Sequence, residues 1–153
     1  IKNGNQVGTR LKDKKIKILC VCIHNSARSQ MAEAYLNSLS PKVSAKSAGI
    51  RPGKLNPLVV ISMRNAGYDI SKNETKSVQS IYETQTKFDF IIFVCSESQA
   101  DECPIVPYET KKIYWSIDDP SVLKGTDQVK LEKIKTIRDE IRVKVENFIK
   151  NYI

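Results

Sequence analysis

The apolar positions along this chain alternate between two spacings. "IKILCV" (16–21) is apolar except for Lys17, the pattern of a strand covered on both faces. From Ala27 to Leu39 the spacing turns helical, with Met31, Ala34, Tyr35 and Leu39 on one face. "VSAKSAGI" (43–50) predicts a short second strand. "LNPLVVISMRNAGYDI" (55–70) predicts a helix that opens with Asn56 as N-cap and Pro57 at the first helical position and closes on Gly67. "FDFIIFVC" (88–95) is the strongest strand signal in the chain, and "KKIYW" (111–115) predicts a fourth strand. Near the C-terminus Ile134, Ile137, Ile141, Val145 and Phe148 form one stripe among charges, as in a long amphipathic helix lying on a core.

Strands alternating with helices imply an α/β fold of three layers, a four-stranded parallel sheet with helices on both faces. A chain of 153 residues suits one such domain, here 16–153. Residues 1–15, "IKNGNQVGTRLKDKK", have no apolar stretch and read as a flexible basic N-terminal arm. They carry no secretory signal, and no apolar run approaches the roughly 18 residues that cross a membrane. The expectation is a cytoplasmic protein with no membrane partner.

Charge and cysteine content sharpen this picture. The net charge of +8 favours an anionic ligand. The lysines are scattered and aromatic residues make up only 7% of the chain, without the aromatic–basic interleaving of a nucleic-acid groove, so no nucleic-acid partner is expected. The cysteines are Cys20, Cys22, Cys95 and Cys103. In a reducing compartment cysteines are catalytic, metal-binding or inert more often than structural disulfides. With no Cys-x-x-Cys pair and a single histidine, His24, a metal centre is not expected. Cys20 reads as a small core hydrophobe.

The chemistry concentrates where the first strand ends. Cys22 closes the apolar run, five residues without glycine follow, and Arg28 opens a helix. In open α/β sheets ligands bind beyond the carboxyl ends of strands. The loop Ile23, His24, Asn25, Ser26, Ala27, Arg28 and Ser29, with the helix N-terminus behind it, is therefore a candidate oxyanion cradle. Arg28 adds a planar bidentate grip, and the same positive field favours the thiolate of Cys22, the nucleophilic form. This spacing sets a sulfur nucleophile beneath the central atom of a bound oxyanion. Further on, Asp119 precedes Pro120, which favours an extended backbone and can aim the carboxylate from a loop.

Cys22-x5-Arg28-Ser29 resembles the phosphate loop of the low-molecular-weight protein tyrosine phosphatases and of the arsenate reductases that share their fold. "HNSARSQMAEA" (24–34) is similar to the reductase branch, in which Gln follows the Ser where the phosphatases typically carry Pro. The likeness continues in order through "SAGI" (47–50), "LNPLVV" (55–60), "CSESQADECP" (95–104), "WSIDDP" (115–120) and "IRDEI" (137–141). It implies a catalytic set of Cys22, Arg28, Asp119, Cys95 and Cys103, with Asp119 as general acid. Asn25 and Ser29 would hold the loop and hydrogen-bond the thiolate. The implied activity is reduction of arsenate to arsenite through a Cys22 adduct and a Cys22/Cys95/Cys103 disulfide relay. It would need no organic cofactor, and thioredoxin or another thiol reductant would recycle it. The alternative is a phosphatase that hydrolyses phosphate monoesters through phosphocysteine. A reading from another class is a non-catalytic anion- or nucleic-acid-binding protein.

Three departures accompany the resemblance. Asn25, Glu33 and Ser47 correspond to potassium ligands of some members, but the region of Lys76 and Ser77 lacks the matching aspartate. Ser121 and Val122 stand where the phosphatases carry an aromatic pair, which weakens the case for phosphotyrosine. The Cys95–Cys103 interval is one residue longer than in some relatives. In a relay, segment 96–104 is expected to rearrange as Cys103 takes over the disulfide.

Overall fold

The two most apolar segments of the chain become the centre of its sheet. The computed structural model describes residues 14–96 and 102–153; residues 1–13 of the expected arm, and 97–101 of the expected switch segment, lie outside the described residues. The elements run β1 (Ile16–Cys22), α1 (Arg28–Leu39), β2 (Val43–Gly49), α2 (Pro57–Asn65), α3 (Val78–Glu83), β3 (Phe90–Cys95), β4 (Lys111–Ser116), a short 3-10 turn (Pro120–Val122) and α4 (Asp127–Tyr152). The strands lie in the order β2-β1-β3-β4, and every pairing is parallel. β1 and β3 are each flanked on both sides, which is why their sequences read as apolar runs and not as alternations.

Successive residues of the central strands feed opposite faces. Ile18, Cys20 and Ile92 join Met31, Tyr35 and Leu36 of α1, Val59 and Met63 of α2, and the Ile134–Phe148 stripe of α4 in one core. Leu19, Val21, Ile91 and Phe93 join Val78 and Ile81 of α3 in the other. Cys20 is fully buried in the first core, as expected of a small hydrophobe. The predicted caps of α2 are in place, with Asn56 Oδ1 accepting from the amides of Leu58 and Val59. Arg138 interrupts the stripe of α4, yet it is buried because its Nη1 donates to the Ser62 carbonyl at 2.8 Å and ties α4 to α2.

Two elements have no counterpart in the sequence reading, α3 and the 3-10 turn. With six residues and two buried side chains, Val78 and Ile81, α3 is too short to establish a period, and its one legible signal is the Ser77 hydroxyl capping Ser80. No helix among the described residues is long and apolar enough to cross a membrane.

The strand order decides where chemistry can occur. From β1 the chain moves outward to β2, then returns to the other side of β1 to lay down β3. The topological switch point therefore lies between β1 and β3, and the crevice beyond it is the natural ligand site of such a sheet. Cys22 and Cys95 are the last residues of these two strands.

Candidate active site

The loop after β1 is held from outside by its own carbonyls. Those of Cys22, Ile23, His24 and Ser26 accept from the amides of Ile50, Arg51, Gly53 and Asn56 in turn, at 2.8–3.1 Å. With these four carbonyls committed to segment 50–56, the inner side of the loop is left to N–H groups, as in an anion-binding nest. The polarity belongs to the backbone and needs no glycine in the loop. His24 sits on the outer side with Nδ1 at 3.0 Å from the Arg51 carbonyl oxygen.

Close approach explains Gly49, the partner of Cys22 in the β1–β2 register. A Cβ added there would lie 2.7 Å from the Asn25 amide nitrogen and 2.8 Å from the His24 carbonyl carbon. Both are backbone atoms and cannot rotate away. Gly49→Ala is expected to cost about 1–3 kcal/mol of stability and to weaken phosphate or arsenate binding about tenfold, because the loop must shift to make room. Thermal melting and calorimetric titration check this. A variant that binds oxyanion like the wild type would show that the contact does not shape the loop. The signal was present in the sequence as an isolated glycine in a strand pattern, a mark of close backbone approach.

Asn25 is the keystone of the loop. It adopts the left-handed conformation, φ 55°, which Asn tolerates better than most residues. Its Oδ1 accepts from the Lys76 amide at 2.9 Å and from Gln30 Nε2 at 3.2 Å, an arrangement that fixes the amide and directs Nδ2 to Ser29 Oγ at 2.8 Å. Ser29 Oγ lies 2.8 Å from Cys22 Sγ, and the Asn25 amide donates to the same sulfur at 3.2 Å. When the sulfur is ionised, the hydrogen between it and Ser29 must be the hydroxyl's. The thiolate therefore receives two donors, each held by a further hydrogen bond. All four side chains are buried.

Gln30, the residue after Ser29 in the loop motif, has a structural task. Fully buried, it donates to the carbonyls of Asn25 and Glu74 and accepts from Asn73 Nδ2 at 3.0 Å. It thus joins the loop to the segment before α3. A proline at this position would provide none of these bonds.

Arg28, buried at the first turn of α1, reaches across the crevice. Its Nη1 donates to the Ile117 carbonyl at 3.0 Å, and its Nη2 lies 3.4 Å from Asp119 Oδ2. Asp119 is extended, φ −81° and ψ 116°, and caps the 3-10 turn. The arginine is thereby pinned on the β4 side of the loop, and the carboxylate is brought to the same place.

The remaining two sulfurs lie together. Cys95 is buried at the end of β3, and Cys103 is half-buried on the cavity that both border. Burial, then the nearby Cys103 charge, pushes the Cys95 thiol up to about 12, against the lowering effect of Arg28. Cys103 is also raised, first by burial, while Cys95 favours its ionised form. Cys95 is therefore a protonated thiol at neutral pH. The two sulfurs border a cavity of about 140 Å³ shared with Phe93, Tyr114 and Trp115. Arg51 and Glu102 form an ion pair of 2.8 Å between the segment bracing the oxyanion loop and the residue before Cys103.

Of the three positions that correspond to potassium ligands, Asn25 Oδ1 already accepts two hydrogen bonds, while Ser47 Oγ is buried without a hydrogen-bond partner among the described residues. Burial raises the Glu33 carboxyl, and the largest effect opposing it is the positive charge of Lys76.

Fold and site together define a three-layer α/β protein with a buried, hydrogen-bonded cysteine at the end of β1, where a strand-to-helix loop opens at the switch point. The chain belongs to the low molecular weight phosphotyrosine protein phosphatase family, whose model matches residues 17–152. Within it, the chain is 36% identical over 135 residues to an arsenate reductase of Bacillus licheniformis, an alignment covering 88% of this chain and 95% of the relative. A crystal structure of arsenate reductase from Archaeoglobus fulgidus matches with a TM-score of 0.64 at 30% identity, over 84% of this chain and 98% of that one. A structure described as an arsenate reductase in the phosphate binding state matches with a TM-score of 0.69 at 26% identity, over 90% and 99%.

Proposed function

We propose that the protein is an arsenate reductase working by a thiol relay. The observation that carries this reading is the gathering of three cysteines at one end of the sheet: Cys22 and Cys95 end the paired strands β1 and β3, and Cys103 borders the same cavity as Cys95. A phosphatase needs only the first of these sulfurs. The relatives named arsenate reductase support the same reading.

Arsenate is held by the amides of residues 23–29 and the guanidinium of Arg28. The Cys22 thiolate attacks arsenic(V), and Asp119 gives its proton to the departing oxygen, which leaves as water. Cys95 then loses its proton and attacks Cys22 Sγ. The sulfur–arsenic bond breaks, its electron pair stays on arsenic, and arsenite departs as arsenic(III). A Cys22–Cys95 disulfide remains. Cys103 attacks Cys95, freeing the Cys22 thiolate and leaving Cys95–Cys103, which an external dithiol reduces with two electrons. The high proton affinity of Cys95 keeps it silent until an adduct forms next to it. The Arg28 charge favours its ionisation when attack is due.

The external reductant is thioredoxin, on the family resemblance, and the site of action is the cytoplasm. The deciding experiment supplies arsenate with thioredoxin, thioredoxin reductase and NADPH, beside a parallel assay with an aryl phosphate. Arsenate-dependent NADPH consumption is expected. Hydrolysis of the aryl phosphate without arsenate reduction would move the phosphatase reading ahead.

A further inference from the structure

Asp119 Oδ1 accepts two hydrogen bonds from one residue, the Ser121 amide at 2.9 Å and the Ser121 hydroxyl at 2.8 Å. Oδ2 is the oxygen turned to Arg28. Any non-proline residue at position 121 supplies the amide, but a hydroxyl on a side chain this short comes only from Ser or Thr.

Two donors on Oδ1 have a chemical consequence. The two bonds restrict the carboxyl to one orientation, with Oδ2 on the side of Arg28 and the oxyanion loop. We propose that Ser121 is a positioning residue that holds Oδ2 of Asp119 toward that loop and sets the pH range over which the carboxyl keeps its proton. This rests on the reading of Asp119 as general acid. Among the described residues, Arg28 from α1 faces Asp119, Cys95 from β3 feels the charges of Arg28 and of Cys22 from β1, and Asp118 is next in the chain; all are kept in the Ser121 variants.

The sign of the effect follows from the bond. The hydroxyl stabilises the carboxylate, so its removal makes Asp119 hold its proton to higher pH. A general acid is active only while protonated, so the alkaline limb of the pH–rate profile must move upward.

The test compares wild type, Ser121→Ala, Ser121→Thr and Asp119→Asn in pH profiles of kcat, with arsenate and with an aryl phosphate, because the same acid serves either reaction. Ser121→Ala is expected to shift the alkaline limb up by about half to one pH unit and to lower kcat at the optimum about tenfold. KM should stay within about twofold, since Arg28 and the loop are untouched, and threonine should restore the profile. If Ser121→Ala melts at a lower temperature but its profile superimposes on that of the wild type, the residue only caps the 3-10 turn and the inference fails while Asp119 keeps its role. Full activity of Asp119→Asn would remove the general acid itself, and the Ser121 proposal with it.

Discussion

Cys22→Ser is expected to lower turnover at least about 10⁴-fold with arsenate or with any phosphate ester, while oxyanion binding survives. The serine hydroxyl is scarcely ionised at neutral pH, and the two donors that stabilise a thiolate, the Asn25 amide and Ser29 Oγ, cannot make it so. Binding should persist within a few-fold because the loop is shaped by carbonyl bonds to segment 50–56 and by the Asn25–Gln30–Lys76 network, none of which involves the sulfur. The replacement is nearly isosteric at a buried position, and stability should change by no more than about 1 kcal/mol. Rapid-mixing kinetics and calorimetric titration with phosphate give the two halves of the result. Substantial turnover by this variant would take Cys22 out of the mechanism.

Replacement of the other two sulfurs should separate the steps. Cys95→Ser leaves arsenic attached to Cys22 with nothing to release it, so arsenite formation should fall below one equivalent per enzyme. Cys103→Ser should release one equivalent and then stop, locked as a Cys22–Cys95 disulfide that mass spectrometry of a quenched digest would identify. Both variants should keep aryl phosphate hydrolysis, if the wild type has it, within about threefold, since that reaction needs Cys22, Arg28 and Asp119 alone. Continued thioredoxin-coupled turnover in both variants would end the relay model. The two variants also test the roles of neighbouring thiols. Cys95 is the more deeply buried, and Cys103, half-buried beside the 140 Å³ cavity, is the one placed to meet an external reductant.

Cys95 and Cys103 are both free thiols and border one cavity, which is where the hand-over between them would begin. Arg51 and Glu102 bind the Cys103 segment to the loop brace, on an exposed surface where such a pair contributes little to stability.

The sequence by itself determined the parallel sheet, because strands buried on both faces must be continuously apolar, and "IKILCV" and "FDFIIFVC" are. It determined α2 and α4 through the Asn56–Pro57 start and the Ile134–Phe148 stripe, both local signals. It also marked Cys22 and Arg28, since a cysteine at a strand end and a guanidinium at a helix start are legible as spacing. What only the tertiary structure decided is everything that depends on partners far away in the chain. Gln30 is a polar residue in a helical pattern until Asn73, Glu74 and Asn25 close around it. Gly49 is a glycine in a strand until the Asn25 backbone passes 2.7 Å from where its Cβ would be. Asp119 meets Arg28 across 91 residues of sequence, and Ser121 becomes more than a turn residue only because that meeting gives the two oxygens of one carboxylate different tasks. Periodicity reports which face of an element is buried, but hydrogen-bond partners are chosen by strand order, and strand order is settled only when the layers pack.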